Sequence, residues 1–242
     1  MKLGALILHG LTSSLDCVNG LAPYMERNGI PFRMPVLRGH MTRAEDLIGV
    51  TWRDWYADGE AALLDLCRQV DKAVVIGLSM GGLVALQLAM EHADKVDSVV
   101  TVAGAVRMKN PLAPGNPLGF LQPLVVKLVK FWPMPAAYTD MSQAATDTNY
   151  RKVPMDAAAS FLEYGGLIER RLPEVKAPLL IIQSHRDQLV KEDTAQAIYD
   201  GVSSANKRIL WFEKSSHEMM RDLEREDVFK AIESFVLERA RA

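Results

Sequence analysis

The chain has little cysteine: Cys17 and Cys67 are the only two in 242 residues, far apart and without ligand-like neighbours. That scarcity excludes a disulfide framework and a zinc site, and it fits a reducing, cytoplasmic compartment. Charge of one sign is also lacking. Lys and Arg total 28 against 30 for Asp and Glu, a net charge of −2, which supplies no basic field for nucleic acid and no polybasic patch for anionic lipid. Long apolar runs are missing too. The stretches around residues 74–76 and 83–90 fall well short of the ~18 apolar residues of a membrane span. The run at residues 3–8 is too short for a signal peptide and has no small-residue cleavage site. With no repeats or low-complexity segments, what remains is 49% apolar and 24% charged residues, the composition of one compact globular domain.

Short β-branched apolar runs alternate with longer amphipathic segments, the pattern of βαβ crossovers and a mostly parallel sheet flanked by helices. Strands are predicted at residues 3–8, 32–36, 73–76, 98–103, 179–183 and 208–212. Helices are predicted at 51–70, 80–92, 191–202 and 221–239. The first has Thr51 as N-cap with Asp54 completing a capping box, and the last carries Leu223, Val228, Ile232, Phe235 and Val236 on one stripe. Roughly 75 residues separate the fourth and fifth strands, too many for a plain connection, so an insertion with its own structure is expected there. Prolines cluster in it at 111, 114, 117, 123, 133 and 135, around an apolar helix running from Leu124 to Trp132 and interrupted by Lys127 and Lys130. The division is residues 1–104 and 171–242 for the body and 105–170 for a helical cap. That cap is either an ordinary buried helix or a lid over an apolar substrate pocket.

The strongest chemical signal is Gly77-Leu78-Ser79-Met80-Gly81, placed between an apolar strand and an apolar helix. A Gly-x-Ser-x-Gly match alone arises by chance in about one such chain in twenty. Its strand-turn-helix setting makes it specific, because so sharp a turn pushes the serine hydroxyl out above the sheet and requires small residues on either side. A serine is a poor nucleophile unless a base reaches it and a carboxylate orients that base. In this architecture acid and base follow later strands in the order Ser, acid, His. His217, after the last strand, is the base expected, with His40 and His185 as alternatives. His92 closes a helix, where a structural role fits. Asp187, on the loop after strand 179–183, is the acid expected. Asp193 competes but lies in the first turn of the next helix. The oxyanion of acyl transfer needs backbone donors, and the N–H groups of Met80 and Leu11 are the candidates, the latter from His9-Gly10-Leu11 after the first strand.

His9-Gly10-Leu11, residues 35–40, Gly77 to Gly81, Asp187 and Ser216-His217 resemble the α/β-hydrolase superfamily, and within it the bacterial carboxylesterases and monoacylglycerol lipases with a small helical cap. The resemblance spans essentially the whole chain. It implies an α/β-hydrolase fold whose N-terminal strands are shortened or missing, because only about eight residues precede the His-Gly pair. Two departures, Met41 after Gly39-His40 and Ser184 ahead of the acid, touch no catalytic group. The expected activity is hydrolysis of a small-molecule carboxylic ester of short to medium acyl chain, including monoacylglycerols, without metal or organic cofactor. Other acyl substrates (amides, lactones, thioesters), C–C bonds and a non-catalytic receptor role are the alternatives. Met108, Leu121, Phe131, Trp132 and Met134 are candidate substrate contacts from the cap. Oligomeric state is not legible in the sequence.

Overall fold

The structure is a computed structural model in which residues 1–241 are described. Its strands are β1 (Leu3–Leu8), β2 (Phe32–Arg33), β3 (Lys72–Leu78), β4 (Val96–Val102), β5 (Phe131–Pro133), β6 (Lys152–Pro154), β7 (Leu179–Ser184) and β8 (Lys207–Phe212). Its helices are α1 (Ala22–Arg27), α2 (Trp52–Leu66), α3 (Met80–Glu91), α4 (Gln122–Leu128), α5 (Met141–Ala144), α6 (Met155–Arg171), α7 (Thr194–Gly201) and α8 (Arg225–Arg241). Six strands pair in the order β2-β1-β3-β4-β7-β8, every pair parallel, while β5 and β6 form a separate antiparallel ribbon.

The helix-flanked parallel sheet expected from the sequence is therefore present, and its strands are apolar on both faces for the reason that alternation dictates. On β1, Leu6 and Leu8 enter one core with α2, α3, α6 and α7, while Ala5 and Ile7 enter the other with α1 and α8. The capping box of α2 forms as read: the Thr51 side chain takes the backbone N–H of Asp54, and Asp54 takes that of Thr51. Among the described residues no helix is long and apolar enough to cross a membrane.

Four local readings are corrected. The second strand stops at Arg33, because Met34 precedes Pro35, which cannot donate to a ladder. The apolar helix of the insertion ends at Leu128. Val129 leaves helical geometry at φ −111°, ψ 119°, and Phe131 and Trp132 continue as strand β5, paired to Pro154 and Val153, where aromatics fit a pleated ribbon. The last helix starts at Arg225, so Leu223 is not on its buried stripe but 54% exposed. Residues 222–224 tie down the preceding loop instead: the Glu224 carboxylate accepts the N–H groups of Lys214 (2.9 Å) and Ser215 (2.7 Å). Finally, α6 is a long amphipathic helix where no helix was predicted. Its Gly165 reads as a breaker but lets the helix approach the carbonyls of Ala105 and Val106, which an added Cβ would meet at 2.9 and 3.0 Å. Ala157, Phe161, Tyr164 and Ile168 of α6 belong to the main core.

Candidate active site

Ser79 stands at the junction of β3 and α3 with φ 53° and ψ −113°, a conformation that costs a non-glycine residue about 1–3 kcal/mol. The chain can bend so tightly because of its glycines. A Cβ on Gly77 would overlap the Gly81 backbone, and one on Gly81 would overlap the Leu8 carbonyl. The Ser79 N–H donates to the Val102 carbonyl (2.9 Å), fixing the turn to the neighbouring strand.

His217 and Asp187 meet from the loops after β8 and β7. The His217 Nδ1 lies 3.1 and 3.0 Å from the two Asp187 carboxylate oxygens, both residues being buried. A carboxylate only accepts, so Nδ1 carries the proton and neutral His217 keeps a lone pair on Nε2. Asp187 is itself held: Oδ1 accepts the N–H groups of Leu189 (2.8 Å) and Val190 (2.9 Å), and Oδ2 accepts from Gln183 Nε2 (3.0 Å). Burial alone would raise the Asp187 pKa, but the His217 charge and hydrogen bond and the Val190 and Leu189 N–H groups outweigh it and leave it below the usual value. For His217 burial pulls downward, and the charge and hydrogen bond of Asp187 win, so its pKa is raised. Ser79, His217 and Leu11 line one cavity.

The other sequence candidates fall elsewhere. His40 is buried and neutral, driven down to about 3 by burial and the neighbouring His9. Its Nδ1–H donates to the Leu37 carbonyl (3.0 Å) and its Nε2 accepts the Thr12 N–H (3.1 Å), so both nitrogens are engaged. His9, lowered to about 4 by burial, accepts the Leu37 N–H through Nε2 (3.1 Å). Together these two histidines pin the 9–12 loop, whose Thr12 has φ 62° and whose Thr12 carbonyl accepts the Tyr150 N–H (2.9 Å). His185 stacks on Trp211 at the surface, His92 pairs with Glu60 (2.7 Å), and Asp193 pairs with Arg107 (2.7 Å). Neither Leu11 nor Met80 donates its N–H to any loop, cap or side-chain acceptor among the described residues, and Met80, first in α3, has no helical acceptor.

Two adjoining cavities share Leu11, Met108, Met134, Pro135, Phe161 and Leu189. The one at Ser79 has a mixed lining, with Ser13, Asp147, Asn149 and Glu218 as well as apolar side chains in its wall. The other, about 290 Å³, is apolar and bounded by Trp132, Val153, Ala158 and Leu162. Of the five cap candidates, Met108, Trp132 and Met134 line this groove. Leu121 packs against the main core, and Phe131 lies under the Lys152 ammonium, 4.3 Å from its ring centre. Gln183, Glu218, Asn149 and Tyr150 were not anticipated, since single polar residues carry no pattern. Of these, only Glu218 had a sequence cue, its place beside His217. Among the described residues no three His, Cys, Asp or Glu side chains gather as a metal site.

Comparison with known proteins agrees in family and fold. A family profile described as serine aminopeptidase, S33, matches residues 4–224. A thermostable monoacylglycerol lipase of Bacillus sp. (strain H-257) is 30% identical over 217 residues, covering 88% of this chain and 82% of that protein. A carboxylesterase of Bacillus subtilis (strain 168) is 22% identical over 234 residues, covering 96% and 91%. A solved structure from work on two metagenome-derived lipolytic enzymes superposes with a TM-score of 0.86 at 29% identity, covering 98% of this chain and 94% of the other.

Proposed function

The chain belongs to the serine aminopeptidase S33 family, on the α/β-hydrolase fold, and from that premise we propose that it is a serine hydrolase of carboxylic esters with Ser79 as nucleophile. The observation that carries this reading is the strained Ser79 turn opening into a cavity that His217, held by the buried Asp187, also lines. Ser79 Oγ attacks the ester carbonyl while His217 Nε2 takes its proton and returns it to the leaving alcohol. Asp187 holds the imidazole and stabilises its cationic form. The N–H groups of Leu11 and Met80 receive the oxyanion, each worth ~3–4 kcal/mol in the transition state, and the positive end of α3 adds to Met80. Water activated by His217 then releases the acid. Residues 105–170 act as the cap, and Met108, Trp132 and Met134 hold the acyl chain in the groove. Such an acyl group is short to medium in length, a reading that also covers monoacylglycerols.

An aminopeptidase would need a free carboxylate for the substrate's ammonium. Of the two carboxylates in that cavity, Asp147 is paired with Arg151 (3.1 Å) and near Arg221 (3.8 Å), and Glu218 is buried with its Oε1 accepting from Asn149 Nδ2 (3.2 Å). A neutral ester therefore suits the site better. Free Cys17 and Cys67 support action in a reducing, cytoplasmic setting. The test is hydrolysis of p-nitrophenyl butyrate and leucine p-nitroanilide by wild type and Ser79→Ala. Ester turnover lost in the variant is expected, and ester turnover retained by it contradicts the reading.

A further inference from the structure

In the proposed mechanism two groups converge on the acyl carbon from opposite ends of the chain: the Leu11 N–H, on the loop after β1, and His217, on the loop after β8. The sheet does not join them directly, because β3, β4 and β7 stand between those two strands. Leu11 lies inside a turn that the Ser13 N–H closes onto the Gly10 carbonyl (3.3 Å). One side of that turn is fixed by His9 and His40. The other side, at Ser14, is held by the inserted segment: the Ser14 N–H donates to Asn149 Oδ1 (3.3 Å), and the Ser14 and Thr148 hydroxyls lie 2.6 Å apart.

Asn149 reaches the base loop as well. Its Nδ2 donates to Oε1 of Glu218 (3.2 Å), the residue bonded to His217, and the Cys17 thiol is a second donor to its Oδ1 (3.1 Å). The amide has only one orientation that satisfies these partners. A backbone N–H can only donate, so the atom facing Ser14 is the oxygen, and the nitrogen then falls against a carboxyl oxygen, which accepts. Ser14, Cys17 and Glu218 are buried, so breaking these bonds leaves groups that water cannot readily serve. Main-chain bonds run beside the bridge: the Tyr150 N–H donates to the Thr12 carbonyl (2.9 Å), and the Glu218 N–H to the Ala137 carbonyl (3.3 Å).

We propose that Asn149 is a positioning residue whose amide sets the distance between the loop carrying the Leu11 N–H and the loop carrying His217. The role rests on the serine-hydrolase reading of the site. Asn149 acts through Ser14 and Glu218 and not on the reacting atoms, so its loss misplaces the oxyanion donor relative to the base. A misplacement of about 1 Å is worth about 100-fold in rate.

The experiment is steady-state hydrolysis of p-nitrophenyl butyrate by wild type, Asn149→Asp, Glu218→Gln and the double variant, with active sites counted by fluorophosphonate labelling and Tm measured for each. The assay is run above neutral pH, so that the two carboxyl groups of Asn149→Asp share no proton. That variant keeps the acceptor for Ser14 but sets carboxylate against carboxylate, and kcat per site is expected to fall about 100-fold with KM within about threefold. Glu218→Gln still accepts through its carbonyl oxygen and should lose less than about tenfold. The double variant rebuilds the bond with donor and acceptor exchanged, and its kcat should return to within about tenfold of wild type. If Asn149→Asp fails to fold, Asn149→Ala takes its place, with the same fall in kcat per site expected. Three results would overturn the proposal: a lowered Tm at unchanged kcat per site, a raised KM at unchanged kcat, or a double variant no faster than Asn149→Asp. Ester turnover that survives Ser79→Ala removes the hydrolase reading and the proposal with it. Turnover that needs Ser79 while these variants keep kcat removes the positioning role alone.

Discussion

Ser79 tolerates its backbone angles only because Gly77 and Gly81 remove every obstacle around it, and the hydroxyl gains exposure to the cavity in return. If it is the nucleophile, Ser79→Ala lowers kcat by at least about 10⁴-fold with little change in KM, measured on a soluble ester. The base sets the pH dependence. In the proposed mechanism His217 must be neutral to accept the serine proton, and Asp187 favours its cationic form, so its pKa is raised above 6.5. Activity therefore falls as pH drops through that raised value, and the acid limb of kcat/KM lies above pH 6.5. Asp187→Asn should move the limb downward and lower kcat by about 10⁴-fold. A wild-type limb well below pH 6.5 would contradict the assigned base. His9 and His40, already neutral down to about 4 and about 3, add no inflection in this range.

At the scale of elements, what matters is how loops from different strands are fastened to one another. Asp222 is buried and accepts the N–H groups of Ser216 (2.7 Å), Thr139 (2.7 Å) and Asp140 (2.9 Å), joining the His217 loop to the inserted segment. With the Leu223 N–H, which also donates to it (2.9 Å), Asp222→Ala leaves four donors unpaired and should cost about 3 kcal/mol of stability, read as a lowered Tm and denaturant midpoint. Gly81→Ala should cost more, about 4 kcal/mol or above, since its Cβ would meet the Leu8 and His9 carbonyls. Sequence reasoning reads such elements well where one local pattern dominates. The strands β1, β3, β4, β7 and β8, the capping box of α2 and the serine turn all have periodicity or turn chemistry that no tertiary contact opposes. It fails where contact overrides pattern. In α6, Gly165 looks like a break but is a close-approach residue. The apolar run at 124–132 looks like one helix until Phe131 finds Pro154 across a ribbon. The loops that bring Asp187 and His217 together are legible because their strands are. Gln183, which holds Asp187, and Tyr150, which holds the Thr12 loop, act through distances that no spacing encodes.

Over the whole molecule, the sheet presents the serine turn at a cavity of mixed lining, and residues of the inserted segment line an apolar groove beside it. In the proposed reading the acyl chain fills the groove and the alcohol faces the polar side. Each methylene that enters apolar surroundings is worth ~0.8 kcal/mol, or about fourfold. Across a series of p-nitrophenyl esters kcat/KM should rise by about that factor per carbon and then flatten once the groove is full. Trp132→Ala should blunt the rise while leaving acetate turnover nearly unchanged. The central claim, that Ser79 is the residue acylated during ester hydrolysis, is tested most directly by intact-protein mass spectrometry after reaction with a fluorophosphonate. One adduct, mapped to the peptide carrying Ser79, abolished in Ser79→Ala and slowed in His217→Ala, is the predicted result. An adduct on another residue, or none in a protein that still hydrolyses esters, would contradict it.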